Sequence, residues 1–366
     1  MRRIAWLACV LSASAELSFD LGNPDIFAGV AQGFREASDE IRLQGWLLDF
    51  TTVLDGRTLE DHVVAAVRRG VEVKILWGGY AAVYGATGSA SSAFRINAWC
   101  WLLQGSPCIA RVRRAPSRGS LRLFHQKTFS NGVRCMVSSG DINKHATLFN
   151  AVLWLQGGTC SAIDAAFTVT WNEVSRFTLP TRSAVSGNDA TSTQLLRVTS
   201  DGAEGTFRTA YLGLLRSAER SVWLADQYGM WEEAMAILVD KSRTIPVTIV
   251  TNPGFMEVSS LEHGSYHRLK SNPNVTVVLS TCGWMHLKTL IVDNATMITG
   301  STTLEPCALS QNDEMSVRLD EPWLVSSAAA RLRRWQTTIA SCPSTPQSLL
   351  ATAVNVAETM DYEGCV

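Results

Sequence analysis

One order of secondary structure occurs twice along the 366 residues, and this repeat constrains the fold more than any other feature. In each half, the apolar spacing predicts a helix, a strand, a second helix and a second strand. The predicted elements cover 27–37, 41–48, 59–67 and 71–77 in the first half, and 207–218, 221–228, 232–241 and 245–251 in the second. Two copies of an α/β unit predict two similar lobes, related by an approximate twofold axis and packed face to face.

A segment rich in Ser, Thr, Ala and Gly at 180–193 separates the two copies and is typical of a domain boundary. We therefore assign residues 1–178 to the first lobe, 179–206 to a linker and 207–366 to the second lobe. The first lobe also carries an insertion at 80–119 that the second lacks.

The charge balance argues against a protein that wraps nucleic acid through bulk charge. Lys and Arg total 32 against 33 Asp and Glu, which gives a net charge of −1. The end of the insertion is nevertheless rich in arginine, at Arg111, Arg113, Arg114 and Arg118. Two interpretations stay open for these arginines: a solvated loop, or a basic edge that faces a phosphate.

Two His-x-Lys motifs carry the chemistry of this sequence. His125 and Lys127 lie in the first copy, and His286 and Lys288 lie at the matching place in the second. Only six histidines are present in the chain, so a duplicated motif at matching places is a specific signal. Residues i and i+2 of a strand point to the same face, so each lobe can present an imidazole and an ammonium together. Two such pairs predict a phosphate site at the lobe interface, with one histidine as nucleophile and the other as acid.

The second motif and the residues after it resemble the phospholipase D superfamily. These residues are His286, Lys288, Asp293, Gly300, Ser301, Asn312 and Glu314. The segments 304–306 and 312–314 are similar to the cardiolipin synthase-type branch, and the length and the beginning of the chain resemble the poxvirus envelope phospholipase-like branch.

The first motif departs from the family pattern. Asn131 and Gly132 stand where an aspartate is usual, and Ser139 follows another serine instead of a glycine. Asp141 takes the place of the usual asparagine. The imidazole and the ammonium of the first lobe are retained, whereas the residues that surround them differ.

The resemblance implies a two-step reaction through a phosphohistidine, without a metal or a cofactor. It implies catalytic roles for His125, Lys127, His286, Lys288, Asp293 and Glu314, and phosphate-binding roles for Ser139, Asn150, Ser301 and Asn312. In the alignment of the two copies, Asn150 matches Asn312, and Val152 matches Glu314. We therefore expect Glu314 to orient His286, and His286 to be the nucleophile, although family members commonly use the first-lobe histidine.

The function expected from this resemblance is a phosphodiesterase or phosphatidyltransferase that acts on phospholipids at a membrane surface, in the setting of a viral envelope or of membrane remodelling. One alternative is a nuclease of the same superfamily. Another is a catalytically weakened assembly protein of a membrane or envelope. Phospholipid is the expected partner, nucleic acid the less favoured one, and peripheral membrane association the expected location.

The N-terminus and the cysteines leave further alternatives. Arg2 and Arg3 precede the apolar stretch 4–11, which is read as a buried first strand in preference to a signal peptide. Nine cysteines include no Cys-x-x-Cys pair, which argues against a zinc knuckle, and most of them are predicted to be buried thiols.

Overall fold

The computed structural model describes most of both halves of the chain. The described residues are 18–21, 23–46, 48–77, 111–114, 124–143, 148–174, 193–198, 206–227, 231–252, 268–280 and 284–340. The predicted first strand at 4–11 and Arg118 lie outside these residues.

Each half forms one seven-stranded mixed sheet. The first sheet contains β1 (Ser18–Leu21), β2 (Glu40–Gly45), β5 (Glu72–Trp77), β6 (Arg111–Arg114), β7 (Thr128–Ser130), β8 (Arg134–Ser138) and β10 (Ala151–Gln156). The second contains β11 (Thr193–Val198), β12 (Val222–Asp226), β13 (Val247–Thr251), β14 (Val275–Leu279), β16 (Lys288–Val292), β17 (Thr296–Gly300) and β18 (Glu314–Leu319). Two short pairs complete the strands: β3 (Val53–Leu54) with β4 (Arg57–Thr58), and β9 (Leu148–Phe149) with β15 (Trp284–Met285).

The two sheets have the same strand order and the same strand directions. The order is β1-β10-β8-β7-β2-β5-β6 in the first and β11-β18-β17-β16-β12-β13-β14 in the second. The parallel pairs are β2–β5 and β5–β6 in one sheet, and β12–β13 and β13–β14 in the other. The predicted α/β fold of two similar lobes is confirmed.

Helices cover the sheets. They are α1 (Asn23–Glu36), α2 (Leu59–Arg68), α3 (Gly158–Val174), α4 (Thr206–Ser217), α5 (Glu232–Lys241), α6 (Pro306–Ser310) and α7 (Pro322–Ala340). Local sequence explains where α2 begins, because Thr58 and Asp61 form a capping box in which each side chain accepts the backbone N–H of the other. Its apolar face contains the buried Leu59 and Val63, as the helical spacing predicts.

The apolar core has three main parts. One lies between the first sheet and helices α1 and α2, and a second lies between the second sheet and helices α4 and α5. The third joins the lobes: Val137 and Leu153 of the first sheet pack in one cluster with Met297 and Met315 of the second and with residues of α3 and α7. The two lobes therefore share a buried apolar interface, as face-to-face packing requires.

Two details differ from the sequence-based expectations. Residues 193–198, assigned above to the linker, form strand β11 at the edge of the second sheet, where Leu196 and Val198 are buried. Cys135 and Cys160, predicted to be buried thiols, are joined in a disulfide that links β8 to α3. Among the described residues, no helix is both long enough and apolar enough to cross a bilayer.

Candidate active site at the interface of the lobes

Backbone hydrogen bonds attach each motif histidine to the opposite lobe. The His125 N–H donates to the Asp313 carbonyl at 3.0 Å, and the His286 N–H donates to the Phe149 carbonyl at 3.0 Å. Both histidines lie just before the strand of their own lobe, not within it, and short parallel bridges flank both contacts. The two imidazoles are thus held at the lobe interface, where the sequence predicted the site.

The His125 ring is oriented by a carboxylate from the second lobe. Its Nδ1 lies 2.8 Å from Glu314 Oε1 and 3.1 Å from Oε2, and the Glu314 side chain is fully buried. Because a carboxylate only accepts hydrogen bonds, Nδ1 carries the proton and the lone pair is placed on Nε2. His125 therefore presents Nε2 as its reactive atom.

The His286 ring is oriented by an amide from the first lobe. Its Nδ1 lies 2.8 Å from Asn150 Oδ1, and Asn150 is buried. The amide oxygen fixes the same tautomer as Glu314 does but supplies no negative charge. The prediction that Glu314 orients His286 is wrong.

The strand register explains this error. In the second lobe the Ser301 N–H donates to the Met315 carbonyl at 2.9 Å, and in the first the Ser139 N–H donates to the Ala151 carbonyl at 3.0 Å. The residues that precede Met315 and Ala151 are therefore structural equivalents. A side chain at this position points across the interface to the histidine of the other lobe.

Glu314 and Asn150 are thus the equivalent pair, and the sequence alignment of the two copies was displaced by two residues. Val152, aligned above with Glu314, instead matches Ser316, because Val152 pairs with Ser138 as Ser316 pairs with Gly300. The connection between β8 and β10 is shorter than that between β17 and β18. A comparison of the motifs alone could not place this length difference.

The four residues predicted to bind phosphate form or contact the orienting side chains. Ser301 Oγ donates to Glu314, and Ser139 Oγ donates to Asn150 Oδ1 at 3.4 Å. Asn312 Nδ2 donates to Glu314 Oε1 at 3.4 Å. All of these side chains are buried, and their observed contacts hold the orienting groups in place; the phosphate-binding roles of Ser139, Asn150, Ser301 and Asn312 stay predictions.

A close approach at Gly140 leaves space for the Asn150 amide. A Cβ atom at Gly140 would lie 2.2 Å from Asn150 Cγ, so a larger residue would displace the side chain that orients His286. Glycine at this position therefore contributes to the site.

Both lysines are buried and turn back towards the histidine two residues earlier. Lys127 Nζ donates to the His125 carbonyl at 2.8 Å, and Lys288 Nζ donates to the His286 carbonyl at 3.1 Å. Lys288 also donates to Gln227 Oε1 at 3.1 Å. These contacts fix the two ammonium groups beside the two imidazoles and concentrate positive charge at the site.

The electrostatic surroundings of the two histidines differ. Burial, Lys288, Lys127 and His125 together hold the pKa of His286 well below its usual value. Burial also lowers the pKa of His125, but there the charge of Glu314 and its hydrogen bond oppose the effect. Both imidazoles are therefore favoured in the neutral form, and His125 is the better stabilised when it becomes positively charged.

Asp293 lies away from this site. Its carboxylate accepts the backbone N–H groups of Glu219, Arg220 and Ser221, which hold the pKa of Asp293 below its usual value although burial opposes them. Lys288 begins the strand that Asp293 follows, and five residues of strand span roughly 16 Å. The predicted catalytic role of Asp293 is therefore corrected: its carboxylate fastens the turn after β16 to the segment between α4 and β12.

Comparisons with known proteins agree with this geometry. Residues 211–335 match a family model described as "Cardiolipin synthase, PLD-like domain". The crystal structure of phosphatidylserine synthase from Haemophilus influenzae Rd KW20 matches with a TM-score of 0.69 and 12% identity, over 95% of this chain and 94% of that one. A phospholipase D family member, Nuc from Salmonella typhimurium, matches 42% of this chain over 99% of its own, with 22% identity and a TM-score of 0.35. A comparison with curated protein sequences found no match.

The second lobe contains a phospholipase D-like domain. The family model covers the second lobe, and the match to the synthase extends the fold to both lobes. Among the described residues, no three His, Cys, Asp or Glu side chains lie close enough together to hold a metal ion.

Sequence reasoning gave no role in the site to three residues that the structure places beside the motif residues. The Trp46 ring packs edge-on against the His125 ring with centroids 5.1 Å apart, and Lys127 Nζ lies 5.9 Å from the centre of the Trp46 ring. Gln227 contacts Lys288, as described above, and Asp141 Oδ2 lies 3.7 Å from Lys127 Nζ. Trp46 directly follows β2 and Gln227 directly follows the equivalent strand β12, so their shared position in the repeat was the available signal.

Proposed function

We propose that this protein is a member of the phospholipase D superfamily and a phosphodiesterase or phosphatidyltransferase that acts on phospholipids through a phosphohistidine. One observation carries the proposal: each histidine receives an acceptor on Nδ1 from the opposite lobe, beside two buried lysines. This arrangement leaves two Nε2 atoms for chemistry and two ammonium groups to balance the charge of one phosphodiester.

In the proposed first step, His125 Nε2 attacks phosphorus and forms a P–N bond. The P–O bond to the leaving alcohol breaks, and His286 donates its proton to the leaving oxygen. In the second step, water or another alcohol attacks phosphorus, His286 accepts its proton, and the P–N bond breaks. Lys127 and Lys288 balance the charge of the phosphoryl oxygens throughout.

We assign the nucleophile to His125 because of Glu314. The phosphorylated imidazole is positively charged, and a carboxylate on Nδ1 stabilises that charge more strongly than the Asn150 amide does on His286. This replaces the expectation that His286 is the nucleophile, which depended on Glu314 lying behind His286. The anionic substrate offsets the lysine charges that lower the pKa of His286, and this allows His286 to carry the proton that it donates.

Phospholipid is the proposed substrate class. One solved structure that matches nearly the whole chain is that of a phosphatidylserine synthase, and we extend a phospholipid substrate to this chain as part of the proposal. A net charge of −1 also gives a polyanionic substrate no overall attraction. Peripheral association with a membrane follows from a lipid substrate, and the viral-envelope setting stays a prediction.

The test uses the purified full-length protein with three labelled substrates: phosphatidylcholine vesicles, phosphatidylglycerol vesicles and single-stranded DNA. Lys288→Met serves as the control, because it keeps the length of the side chain and removes its charge. We expect release or exchange of the lipid head group, loss of turnover in the variant, and no cleavage of DNA. Cleavage of DNA alone would assign the nuclease function instead.

The assignment of the nucleophile is tested by rapid quench during turnover and by mapping of the labelled peptide. We expect the phosphatidyl group on the peptide that contains His125. A label on the His286 peptide reverses the two roles. Absence of turnover on all three substrates would contradict the proposed enzyme.

A further inference from the structure

The two lobes differ where the end of β2, or of its equivalent β12, meets the loop after the hairpin β7–β8, or after its equivalent β16–β17. We call this contact the joint. In the first lobe this joint combines Gly45, at the end of β2, with Asp141, after β8. The sheet registers make Asp226 the equivalent of Gly45 and Thr303 the equivalent of Asp141. Each lobe therefore has one aspartate at the joint, but on opposite sides of it.

In the first lobe the carboxylate comes from the loop. Asp141 Oδ1 accepts the Trp46 N–H at 2.8 Å, and its other oxygen lies 3.7 Å from Lys127 Nζ. Asp141 is buried, and so is Lys127. The Asp141 side chain thus connects the end of β2 to the loop after β8 and faces Lys127.

In the second lobe the carboxylate comes from the strand. Asp226 Oδ2 accepts the Leu304 N–H at 3.1 Å, so the same two segments are joined in the reverse direction. Asp226 lies directly opposite Lys288 across the antiparallel pair β12–β16, which places their side chains on the same face about 5 Å apart at Cβ. The equivalent of Asp141 on this side is the uncharged, buried Thr303.

The joint of the first lobe has no room for a second side chain. A Cβ atom at Gly45 would lie 2.4 Å from Leu48 Cδ2 and 2.9 Å from Asp141 Oδ1. Two carboxylates in this space would also repel each other in a buried environment. Glycine at position 45 and aspartate at position 141 therefore depend on each other.

We propose that each lobe needs one carboxylate at this joint, and that in the first lobe Asp141 supplies it as a positioning residue for Lys127. This inference deepens the proposed function, on which its kinetic part rests. Asp141 stands where the superfamily pattern has an asparagine, so the inference gives a physical reason for that departure. The aspartate compensates for the glycine across the joint.

The test exchanges the two arrangements. Asp141→Thr and Gly45→Asp each introduce the residue of the second lobe, and the double variant reproduces the second-lobe joint in the first lobe. Asp141→Asn keeps an oxygen for the Trp46 N–H but removes the charge that faces Lys127. Asp320→Asn is the control, because Asp320 bonds Arg318 and Thr296 at the distant end of β18.

Melting temperature and the kinetic constants on phospholipid vesicles are measured for each variant. We expect Asp141→Thr to lower kcat by about 10- to 100-fold with KM changed less than threefold, because a displaced Lys127 no longer meets the developing charge. Gly45→Asp alone is expected to give little soluble protein, and the double variant should recover part of the soluble yield and melting temperature, because the contact with the Leu48 side chain remains. Asp141→Asn should keep the wild-type melting temperature and lose at least tenfold in kcat, whereas Asp320→Asn should match the wild type in turnover.

Two results would overturn the inference. If the double variant is no more stable or soluble than the single changes combined predict, the two positions are not coupled. If Asp141→Asn turns over within threefold of the wild type, Asp141 does not position Lys127 through its charge. The stability cycle needs no activity, so a protein without turnover on any substrate refutes the proposed function and leaves the coupling of positions 45 and 141 measurable.

Discussion

Replacement of Glu314 by glutamine isolates the charge that the structure places behind His125. The glutamine side chain has nearly the same shape, and its oxygen can still accept the His125 Nδ1–H at the position where Oε1 lies 2.8 Å away. Its amide can donate to Ser301, whose Oγ donates to Glu314 in the native protein. The substitution therefore keeps the orientation of the ring and removes only the negative charge.

The size of the effect follows from the distance. When His125 carries a positive charge, the two charge centres lie about 4 Å apart, and at an effective dielectric constant of about 20 their attraction is about 4 kcal/mol. Some of this attraction is already present in the ground state, where the neutral ring donates to the carboxylate. We therefore expect a loss of about 2–4 kcal/mol in transition-state stabilisation, which corresponds to a decrease in kcat of roughly 30- to 10³-fold.

The matched comparison is Asn150→Ala, which removes the neutral acceptor behind His286. One uncharged hydrogen bond is worth about 1 kcal/mol, so this change should lower kcat by only about 5- to 10-fold. Both variants are compared with the wild type by initial rates on phosphatidylcholine vesicles, after thermal unfolding has shown that they fold. If Glu314→Gln keeps more than a third of the wild-type rate, or if Asn150→Ala costs more than Glu314→Gln, our assignment of the two histidines is refuted.

Three further predictions concern the metal, the pH and the disulfide. Turnover should survive EDTA, because the proposed chemistry uses only side chains; complete loss in EDTA with recovery on addition of a divalent ion would contradict it. Folding lowers the pKa of His286, so at mildly acidic pH the unfolded chain binds a proton that the native protein does not. The free energy of unfolding should therefore fall as pH decreases below about 7, by up to about 1.4 kcal/mol per pH unit. Urea unfolding between pH 5.5 and 7.5 measures this slope, and His286→Asn should flatten it. Reduction of the Cys135–Cys160 disulfide, which spans 25 residues, should cost about 3 kcal/mol and lower the melting temperature of the wild type, but leave that of Cys135→Ala unchanged.

Much of the fold could be predicted from local signals. The helix predicted at 232–241 agrees with α5 in both bounds. Its buried residues recur at helical spacing, acidic residues occupy its first turn, and Lys241 lies in its last turn. The predicted strand 41–48 ends early, at Gly45, because the next N–H bonds Asp141 from a distant part of the chain. Similarly, the disulfide depends on tertiary proximity, which the scattered cysteines did not reveal.

The site could be predicted only in part, because its partners cross between the lobes. The repeat and the His-x-Lys spacing identified the four motif residues. The partner of each histidine depends on how two sheets face each other and on a length difference between two strand connections. Glu314 lies 28 residues from His286, yet it bonds His125, which is 189 residues away. Proximity in sequence therefore favoured the wrong pairing.

The departures of the first motif do not argue for an inactive scaffold once the contacts are compared. Asn131, near the missing aspartate, accepts the Val133 and Arg134 N–H groups and donates to the Gly33 carbonyl at 3.1 Å. Asn131 thereby fastens its turn to α1, and Asp293 similarly fastens the turn after β16 to the segment that follows α4. Asp141 replaces an asparagine where the opposite strand has glycine.

A second difference between the lobes that bears on the chemistry of the site is Asn150, which stands at the position equivalent to Glu314. It acts on the histidine of the other lobe, because the orienting side chains cross the interface. His125 belongs to the first motif, which departs most from the family pattern. It nevertheless has the stronger orienting partner, because Glu314 of the second motif bonds its Nδ1. In the proposed mechanism, a neutral amide behind His286 suits a ring that gives up its proton, whereas a carboxylate behind His125 suits a ring that carries a phosphoryl group and its positive charge. The difference between Glu314 and Asn150 therefore fits a mechanism in which His125 is the nucleophile and His286 is the acid.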